Sequence, residues 1–304
     1  MKTDQVHSLY ASRSYICEVN MVSIEDFGQY ETAWCPGCGN FSILKCIKKA
    51  LAGKSIAPHQ VLFVSGIGQA AKAPHYMNCN LFNGLHGRSL PVATGARLSN
   101  PELTVIAESG DGCMYGEGGN HFLAALRRNV NMTMLVHDNQ IYGLTKGQAS
   151  PTTDPGHLTK AQPRGVQVES FHPLGVAIAM KAGFVARGFT GMQDQLVELI
   201  QAAIDFPGFA LVDILQQCVS FNHVNTFEWY KKRCQPLASD YDPEDWKAAM
   251  SKSLEWGDSI PTGILYMNKT RNSFEHNLSI TSRGPLFRQK RNLDAVVEVM
   301  ESFA

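Results

Sequence analysis

The sequence has no excess charge of either sign, because its 27 Lys and Arg residues are balanced by 27 Asp and Glu residues. It therefore lacks the basic surface expected of a protein that binds nucleic acid or an anionic membrane. It also lacks a run of about 18 apolar residues, the length needed for a membrane-spanning helix. These absences leave small molecules and other proteins as the expected ligands.

Export signals are missing as well, because charged residues interrupt segment 1–27 before any apolar stretch reaches signal-peptide length. We therefore expect a cytoplasmic protein. The eight cysteines are then better explained by metal or redox chemistry than by disulfides. Only Cys35 and Cys38 lie close together, and the lack of a second Cys-x-x-Cys pair weakens the case for zinc.

Short β-branched apolar segments alternate with longer segments of helical apolar spacing. We predict strands at 61–65, 103–107, 132–136 and 210–215, and helices at 41–51, 118–128, 173–182 and 193–205. This alternation predicts an α/β fold, with a mostly parallel sheet and helices on both faces. Segment 147–169 lacks periodicity and is predicted to form a long functional loop.

Composition divides the chain into three parts: an N-terminal extension over 1–33, an α/β domain over 34–235, and a C-terminal extension over 236–304. The last part contains a predicted helix at 244–256, a strand at 263–267 and a helix at 292–303. No internal repeat or low-complexity segment is present. The C-terminal extension is predicted to pack on a partner or to cap the domain.

Two turns with polar residues follow neighbouring predicted strands. Asp111 lies between Gly110 and Gly112 after one strand, and Asn139 follows the next. Because open α/β sheets bind ligands at the carboxyl ends of their strands, we expect the two turns to meet. Asp111 and Asn139 offer the oxygen ligands that Mg²⁺ prefers, and the glycines let backbone N–H groups approach a phosphate. The alternative is that both are ordinary turn residues.

The order and spacing of these turns resemble the motif of thiamine-diphosphate enzymes, in which GDG is followed after 26 residues by Asn and then Ile-Tyr-Gly. The resemblance implies that Mg²⁺ is bound by Asp111, Asn139 and the carbonyl group of Ile141. The residues implied to bind the cofactor are Gly110, Asp111, Gly112, Asn139, Ile141, Tyr142, Gly143 and Leu144.

Cys35 and Cys38 flank a Pro-Gly turn ahead of a predicted helix. This geometry suits two ligands of one metal site, which leaves zinc and an iron–sulfur cluster open as alternatives. Redox dithiols share the same spacing.

Over roughly residues 34–265 the chain resembles the β subunits of 2-oxoacid:ferredoxin oxidoreductases. Six motifs occur in the family's order: WCPGCGN, GIGxxxKxPH, LHGR, GDG, HDNxIYGLTKGQASPT and QxC. The resemblance implies a [4Fe-4S] cluster bound by Cys35, Cys38 and Cys218. The family's remaining ligand, a Cys after Gly-Ile-Gly, is replaced by Gln69. Three outcomes are open: Cys79 substitutes for it, a non-cysteine ligand completes the site, or the cluster is absent or labile.

The resemblance also implies a substrate and its partners. Lys72 and Lys146 are implied to lie in the substrate and cofactor pocket, and His86 and Arg88 to reach the cofactor diphosphate or the partner subunit. A separate α subunit with the aminopyrimidine-binding domain is implied, in an αβ or (αβ)₂ assembly without which the chain is inactive. The implied reaction is oxidative decarboxylation of a 2-oxoacid, with coenzyme A as acyl acceptor and ferredoxin as electron acceptor. The stretch LTKGQASPT resembles 2-oxoglutarate-using and broad-specificity members of the two-subunit type more than dedicated pyruvate enzymes, which favours 2-oxoglutarate, with pyruvate as the other candidate.

Two other functions compete with this one. Gln69 suggests a non-oxidative thiamine-dependent decarboxylase or synthase subunit without a functional cluster. A cofactor-binding or assembly subunit without a catalytic role is the third hypothesis. It predicts that Asp111→Ala leaves turnover of the complex unchanged.

Overall fold

The computed structural model describes residues 21–279, 281–290 and 292–303. Residues 1–20 of the predicted N-terminal extension therefore lie outside the described residues. The strands are β1 Val61–Ser65, β2 Asn80–Asn83, β3 Thr104–Gly110, β4 Met132–Asp138, β5 Ile141–Tyr142, β6 Gln148–Ala149, β7 Phe184–Phe189, β8 Phe209–Leu215, β9 Cys234–Pro236 and β10 Ile260–Met267. The α-helices are α1 Asn40–Gly53, α2 Ser89–Ser99, α3 Gly119–Arg128, α4 Pro173–Ala179, α5 Gln193–Asp205, α6 Phe227–Arg233, α7 Trp246–Leu254 and α8 Leu293–Glu301.

Eight strands form one sheet in the order β2-β1-β3-β4-β8-β7-β10-β9. Neighbours from β2 to β7 are parallel, whereas β10 is antiparallel to β7 and parallel to β9. The predicted mostly parallel α/β fold is confirmed. Strand β10 belongs to the predicted C-terminal extension and pairs with β7, so the sheet continues past residue 235. The boundary between the α/β domain, 34–235, and the C-terminal extension, 236–304, stays a prediction.

Apolar cores lie on both faces of the sheet. Consecutive residues of β4 belong to different cores, since Leu135 packs with α1 and α5 while Val136 packs with α2, α3 and α4. This is the alternation that a pleated strand imposes on its side chains. None of the helices over the described ranges combines the length and apolar character needed to span a bilayer.

Some predicted elements differ from the observed ones at their ends, and one observed strand was not predicted. Helix α7 is shorter than the predicted 244–256, because the Asp245 side chain accepts hydrogen bonds from the N–H groups of Lys247 and Ala248 and caps the helix there. Strand β7 was not predicted, and its sequence contains Arg187 and Gly188 within the apolar run.

Candidate active site

Strands β3, β4 and β8 are adjacent and parallel, so the turns that follow them meet at one edge of the sheet. A cleft opens there. The predicted site residues that line it are Cys35, Cys38, His86, Gly110, Asp111, Gly112, Asn139, Ile141, Tyr142, Gly143, Leu144 and Cys218. The structure thus brings the two predicted metal sites into one cleft.

Asp111 is almost fully buried, and it precedes a π-helical turn, Gly112–Glu117. Such turns are rare and occur often at functional sites. Its carboxylate accepts hydrogen bonds from the hydroxyl groups of Ser150 and Thr152, the latter at 2.8 Å. Burial raises the pKa of Asp111 to about 6, although these hydrogen bonds oppose the shift. Its contacts are hydroxyl and backbone N–H groups rather than a described Lys or Arg. A bound cation would therefore balance the negative charge of the Asp111 carboxylate.

The turn that carries Asn139 is held by its own hydrogen bonds. Asn139 Oδ1 accepts from the N–H of Ile141 at 3.0 Å, and the Asn139 carbonyl accepts from Asn222 Nδ2 at 3.2 Å. Gln140 has a positive φ of 58°, and its Nε2 donates to the Thr152 carbonyl at 2.7 Å. The long loop 147–169 is therefore bound to both polar turns.

Sequence reasoning missed Ser150 and Thr152, although it predicted a functional loop around them. The available signal was the hydroxyl-rich run Ser150 to Thr153 directly after the Gly-Gln-Ala stretch.

Cys113, which follows Gly112 directly, is a further residue that holds the site together. Its sulfur accepts hydrogen bonds from the N–H groups of Ile67 and Gly87, at 3.4 and 3.2 Å, and so joins the turns around the cleft.

Gly112 has to be a glycine because Tyr142 packs against it. A Cβ atom at this position would lie 2.2 Å from Tyr142 Cε1. The Tyr142 hydroxyl donates to Glu117 Oε2 at 3.1 Å, and His86 Nδ1 lies 3.0 Å from the same oxygen. Glu117 Oε2 therefore lies close to both His86 and Tyr142, which line the same cleft.

Four cysteines line the cleft, and the three predicted cluster ligands among them, Cys35, Cys38 and Cys218, come from two segments that pack on each other. Cys38 N donates to the Cys35 carbonyl at 3.0 Å and closes the Pro-Gly turn. Gln217 Nε2 donates to the Gly37 carbonyl at 2.8 Å, and the Ser220 hydroxyl lies 3.1 Å from Cys35 Sγ. The segment that carries Cys218 therefore rests directly on this turn.

The electrostatics of the thiols agree with this arrangement. The pKa of Cys38 is raised to about 11, chiefly by burial and also by the nearby Cys218 and Cys35 thiols. Among the described residues, no three His, Cys, Asp or Glu side chains are arranged as they would be around one metal ion. A cluster does not need such an arrangement, because each of its thiolates binds a different iron.

Gln69 lines the cleft with the three predicted cluster cysteines, and Trp34 Nε1 donates to its carbonyl at 2.8 Å. Its side-chain oxygen Oε1 is buried and accepts no hydrogen bond from the described part of the chain. Cys79 does not line the cleft. It packs against the core that contains Phe63, and burial, together with nearby Glu108, raises its pKa to about 12. The structure therefore brings Gln69, and not Cys79, to the cleft.

The remaining predicted site residues lie around the cleft rather than in its wall. Lys72 is half-buried in the 3₁₀ segment Ala70–Tyr76, and Lys146 is exposed with a φ of 82°. They lie within two residues of Ala70 and Thr145, which do line it. Arg88 is exposed and contacts the ring of His121 on α3.

Comparisons with known proteins identify two matching families. The family described as thiamine pyrophosphate enzyme, C-terminal TPP binding domain, matches residues 59–214. The family that describes the C-terminal part of the pyruvate ferredoxin oxidoreductase beta subunit matches residues 218–283.

The chain is 45% identical over 262 residues to a 2-oxoacid:ferredoxin oxidoreductase subunit beta from Sulfolobus sp, covering 82% of this chain and 86% of the relative. It is 42% identical to the 2-oxoglutarate oxidoreductase subunit KorB of Mycobacterium tuberculosis, covering 63% and 52%. A solved 2-oxoglutarate:ferredoxin oxidoreductase from Magnetococcus marinus, with 2-oxoglutarate, coenzyme A and succinyl-CoA bound, superimposes with a TM-score of 0.86 at 34% identity, covering 93% of this chain and 97% of that one. The chain therefore belongs to the β subunits of the 2-oxoacid:ferredoxin oxidoreductases.

Proposed function

We propose that this chain binds thiamine diphosphate, Mg²⁺ and a [4Fe-4S] cluster in the cleft and, with its α subunit, oxidatively decarboxylates a 2-oxoacid. Coenzyme A takes the acyl group and ferredoxin takes the electrons. The observation that carries the proposal is that Asp111 and Asn139 line the same cleft as Cys35, Cys38 and Cys218. An electron acceptor held by the cysteines would then lie beside the cofactor that releases the electrons.

Asp111, Asn139 and the Ile141 carbonyl would hold Mg²⁺, a set of oxygen ligands that this cation prefers. Thiamine diphosphate, when bound, supplies a carbanion that attacks the keto carbon and an electron sink after loss of CO₂. Ser150 and Thr152 orient the Asp111 carboxylate through their hydroxyl groups. Apolar residues of the wall exclude water from the reacting atoms; they include Ile67, Leu144, Val219 and Phe221.

The substrate that we favour is 2-oxoglutarate, with pyruvate as the other candidate. The Magnetococcus enzyme was solved with 2-oxoglutarate bound, and the mycobacterial relative is named for it. A dicarboxylic substrate needs a cation for its distal carboxylate. Lys72 and Lys146 form no ion pair with the described residues, and each is close in sequence to a residue of the cleft wall.

The test is to purify the chain anaerobically with its α subunit and to measure iron, acid-labile sulfide and thiamine diphosphate. We expect about four iron and four sulfide per αβ unit, and ferredoxin reduction that requires both 2-oxoglutarate and coenzyme A. Bound thiamine diphosphate without iron, and decarboxylation without ferredoxin reduction, would instead support the non-oxidative function that Gln69 suggests.

A further inference from the structure

Gln69 has a buried side-chain oxygen that lacks a partner. Its Oε1 atom accepts no hydrogen bond from any described residue, although Gln69 lines the cleft with Cys35, Cys38 and Cys218. Buried acceptors in folded proteins are nearly always satisfied, because desolvating one without compensation is costly. The orphaned oxygen therefore points to a ligand that the protein chain itself does not supply.

The backbone of Gln69 is fixed beside the cysteine turn. Trp34 precedes Cys35 directly, and its indole N–H donates to the Gln69 carbonyl at 2.8 Å. The Lys72 N–H lies 3.3 Å from the same carbonyl. The side chain therefore starts from a position tied to the segment that carries two of the three thiols.

Gln216 provides an internal comparison. Its Oε1 atom is also buried and unsatisfied, but Gln216 does not line the cleft. It packs over Gly39, where a Cβ atom would lie 2.5 Å from that oxygen. Three described glutamines have a buried, unsatisfied Oε1, namely Gln69, Gln195 and Gln216, and of these only Gln69 lines the wall shared with the cysteines.

We propose that Gln69 Oε1 binds the fourth iron of the cluster, an inference that rests on the cluster of the proposed function. Thiolates are the soft ligands that iron–sulfur clusters select, whereas amide carbonyl oxygens suit hard cations such as Mg²⁺. The iron on Gln69 is therefore held more weakly than the three irons on thiolates. The cluster loses that iron first and keeps its sulfide.

The corresponding reaction balances with a one-electron oxidant such as ferricyanide. The centre [4Fe-4S]²⁺ gives [3Fe-4S]⁺, one Fe²⁺ and one electron, and ferricyanide takes the electron to become ferrocyanide. Adding Fe²⁺ and a reductant reverses the step. A neutral amide in place of a thiolate also makes the ligand set less negative by one charge, which raises the reduction potential of the centre.

The experiment compares the wild-type αβ complex with Gln69→Cys, Gln69→Ala and Cys79→Ala complexes, each titrated anaerobically with ferricyanide. The readouts are the iron-to-sulfide ratio, the electron paramagnetic resonance signal of a three-iron centre, and the reduction potential. We expect the wild type to lose about one iron in four and to regain it with Fe²⁺. Gln69→Cys should retain its iron and have a lower reduction potential, Gln69→Ala should lose its iron more readily, and Cys79→Ala should behave as the wild type does.

Two results would overturn this assignment and leave the proposed function intact. One is that wild type and Gln69→Cys lose iron equally while both reduce ferredoxin. The other is that Cys79→Ala, and not the Gln69 variants, changes iron retention, which would make Cys79 the ligand. A wild-type complex that binds thiamine diphosphate but contains neither iron nor sulfide would instead remove the cluster from the proposed function, and this assignment with it. Should Gln69→Ala not fold, wild type against Gln69→Cys decides the question.

Discussion

Thr152 places one hydroxyl group between two buried carboxyl groups, since its Oγ1 lies 2.8 Å from both Asp111 Oδ2 and Asp138 Oδ1. A hydroxyl has one hydrogen, so it can donate to only one of them. Burial, reinforced by nearby Asp213, raises the pKa of Asp138 well above its ordinary value. The Thr152 hydroxyl therefore links the Asp111 carboxylate to a second carboxyl group whose raised pKa favours its neutral form.

Thr152→Val removes this hydroxyl while keeping the shape of the side chain. We expect Mg²⁺-dependent binding of thiamine diphosphate to weaken about 10- to 100-fold, as is typical when a group that orients a metal ligand is lost. The measurement is a Mg²⁺ titration of cofactor binding by the αβ complex. Thr104→Val, at the opposite end of β3, is the matched control. Equal affinities in the two variants would show that the hydroxyl does not orient Asp111.

The cysteines should differ sharply in their reactivity with iodoacetamide. Burial raises the pKa values of Cys79 and Cys234 to about 12, whereas Cys35 is exposed. The raised pKa leaves only a small fraction of each of these two thiols as thiolate at pH 8, and this fraction rises about tenfold per pH unit. After removal of iron, we expect native protein to be labelled at Cys35 and to remain unlabelled at Cys79 and Cys234.

Peptide mass spectrometry measures this labelling, and the iron-loaded complex is the reference. There Cys35 should be protected, because a thiolate bound to iron is not available to the reagent. Labelling of Cys35 at the same rate with and without iron would exclude it as a ligand. Fast labelling of Cys79 at pH 8 would show that the core around it opens in solution.

At the scale of elements, the turn after β3 works only if the chain after β4 packs closely against it. Gly112→Ala would place a methyl group 2.2 Å from the Tyr142 ring and force that ring into the cleft or away from Glu117. We expect the variant to fold and to lose detectable binding of thiamine diphosphate, as measured by calorimetry on the αβ complex.

Gly95→Ala is the control for Gly112→Ala. Gly95 lies within α2 and is exposed, with no atom within 4 Å of its would-be Cβ. The added methyl group should stabilise the helix by up to about 1 kcal/mol and leave cofactor binding unchanged. Normal binding by Gly112→Ala would mean that Tyr142 is not fixed against the turn.

A helix or strand can be predicted from sequence when its own apolar pattern defines it, but not when its residues are explained by the strand beside it. Strand β1 and helix α5 have the predicted bounds, because their apolar periodicity ends at polar or turn residues. Strand β7 escaped prediction because Arg187 interrupts its apolar run. Arg187 is buried next to Asp213, its partner across the β7–β8 pair, and sequence alone does not show which strands become neighbours.

The same limit applies to the site. Asp111 and Asn139 could be placed together in advance, because consecutive strands of an α/β sheet are commonly neighbours. The segment Gln216 to Cys218 was connected to the cysteine turn only by resemblance, and Ser150 and Thr152 required the path of the long loop. Cys79 directly precedes β2, which pairs with β1, and it packs against the core that contains Phe63. Sequence alone does not show this pairing.

At the scale of the whole molecule, the proposed function needs a second subunit to complete the active site. Bound thiamine diphosphate would need a carboxylate near its aminopyrimidine ring, and no glutamate from the described ranges lines the cleft. The described strands form one eight-stranded sheet and one two-stranded sheet. The missing carboxylate is therefore expected from the α subunit, in agreement with the chain's place among β subunits.

The C-terminal part of the chain should contribute very unevenly to stability. Strand β10 buries Ile260, Leu265 and Tyr266, and burial of each such side chain contributes about 1.5–3 kcal/mol. No residue of α8 is buried. Ending the chain after residue 235 should therefore expose β7 and abolish cooperative melting, whereas ending it after residue 289 should leave the melting temperature within about 2 °C of the full chain.

Thermal melting of the two shortened chains and the full chain, each with and without thiamine diphosphate and Mg²⁺, tests this difference. The chain ended after 289 controls for truncation itself, because it keeps β10 and the buried pair in which Arg97 Nε lies 3.0 Å from Glu275 Oε1. If the chain ended after 235 melts cooperatively and binds the cofactor, residues 34–235 form the independent domain that composition predicts. If it does not, β10 is an integral strand of that domain, because the sheet needs it to cover β7.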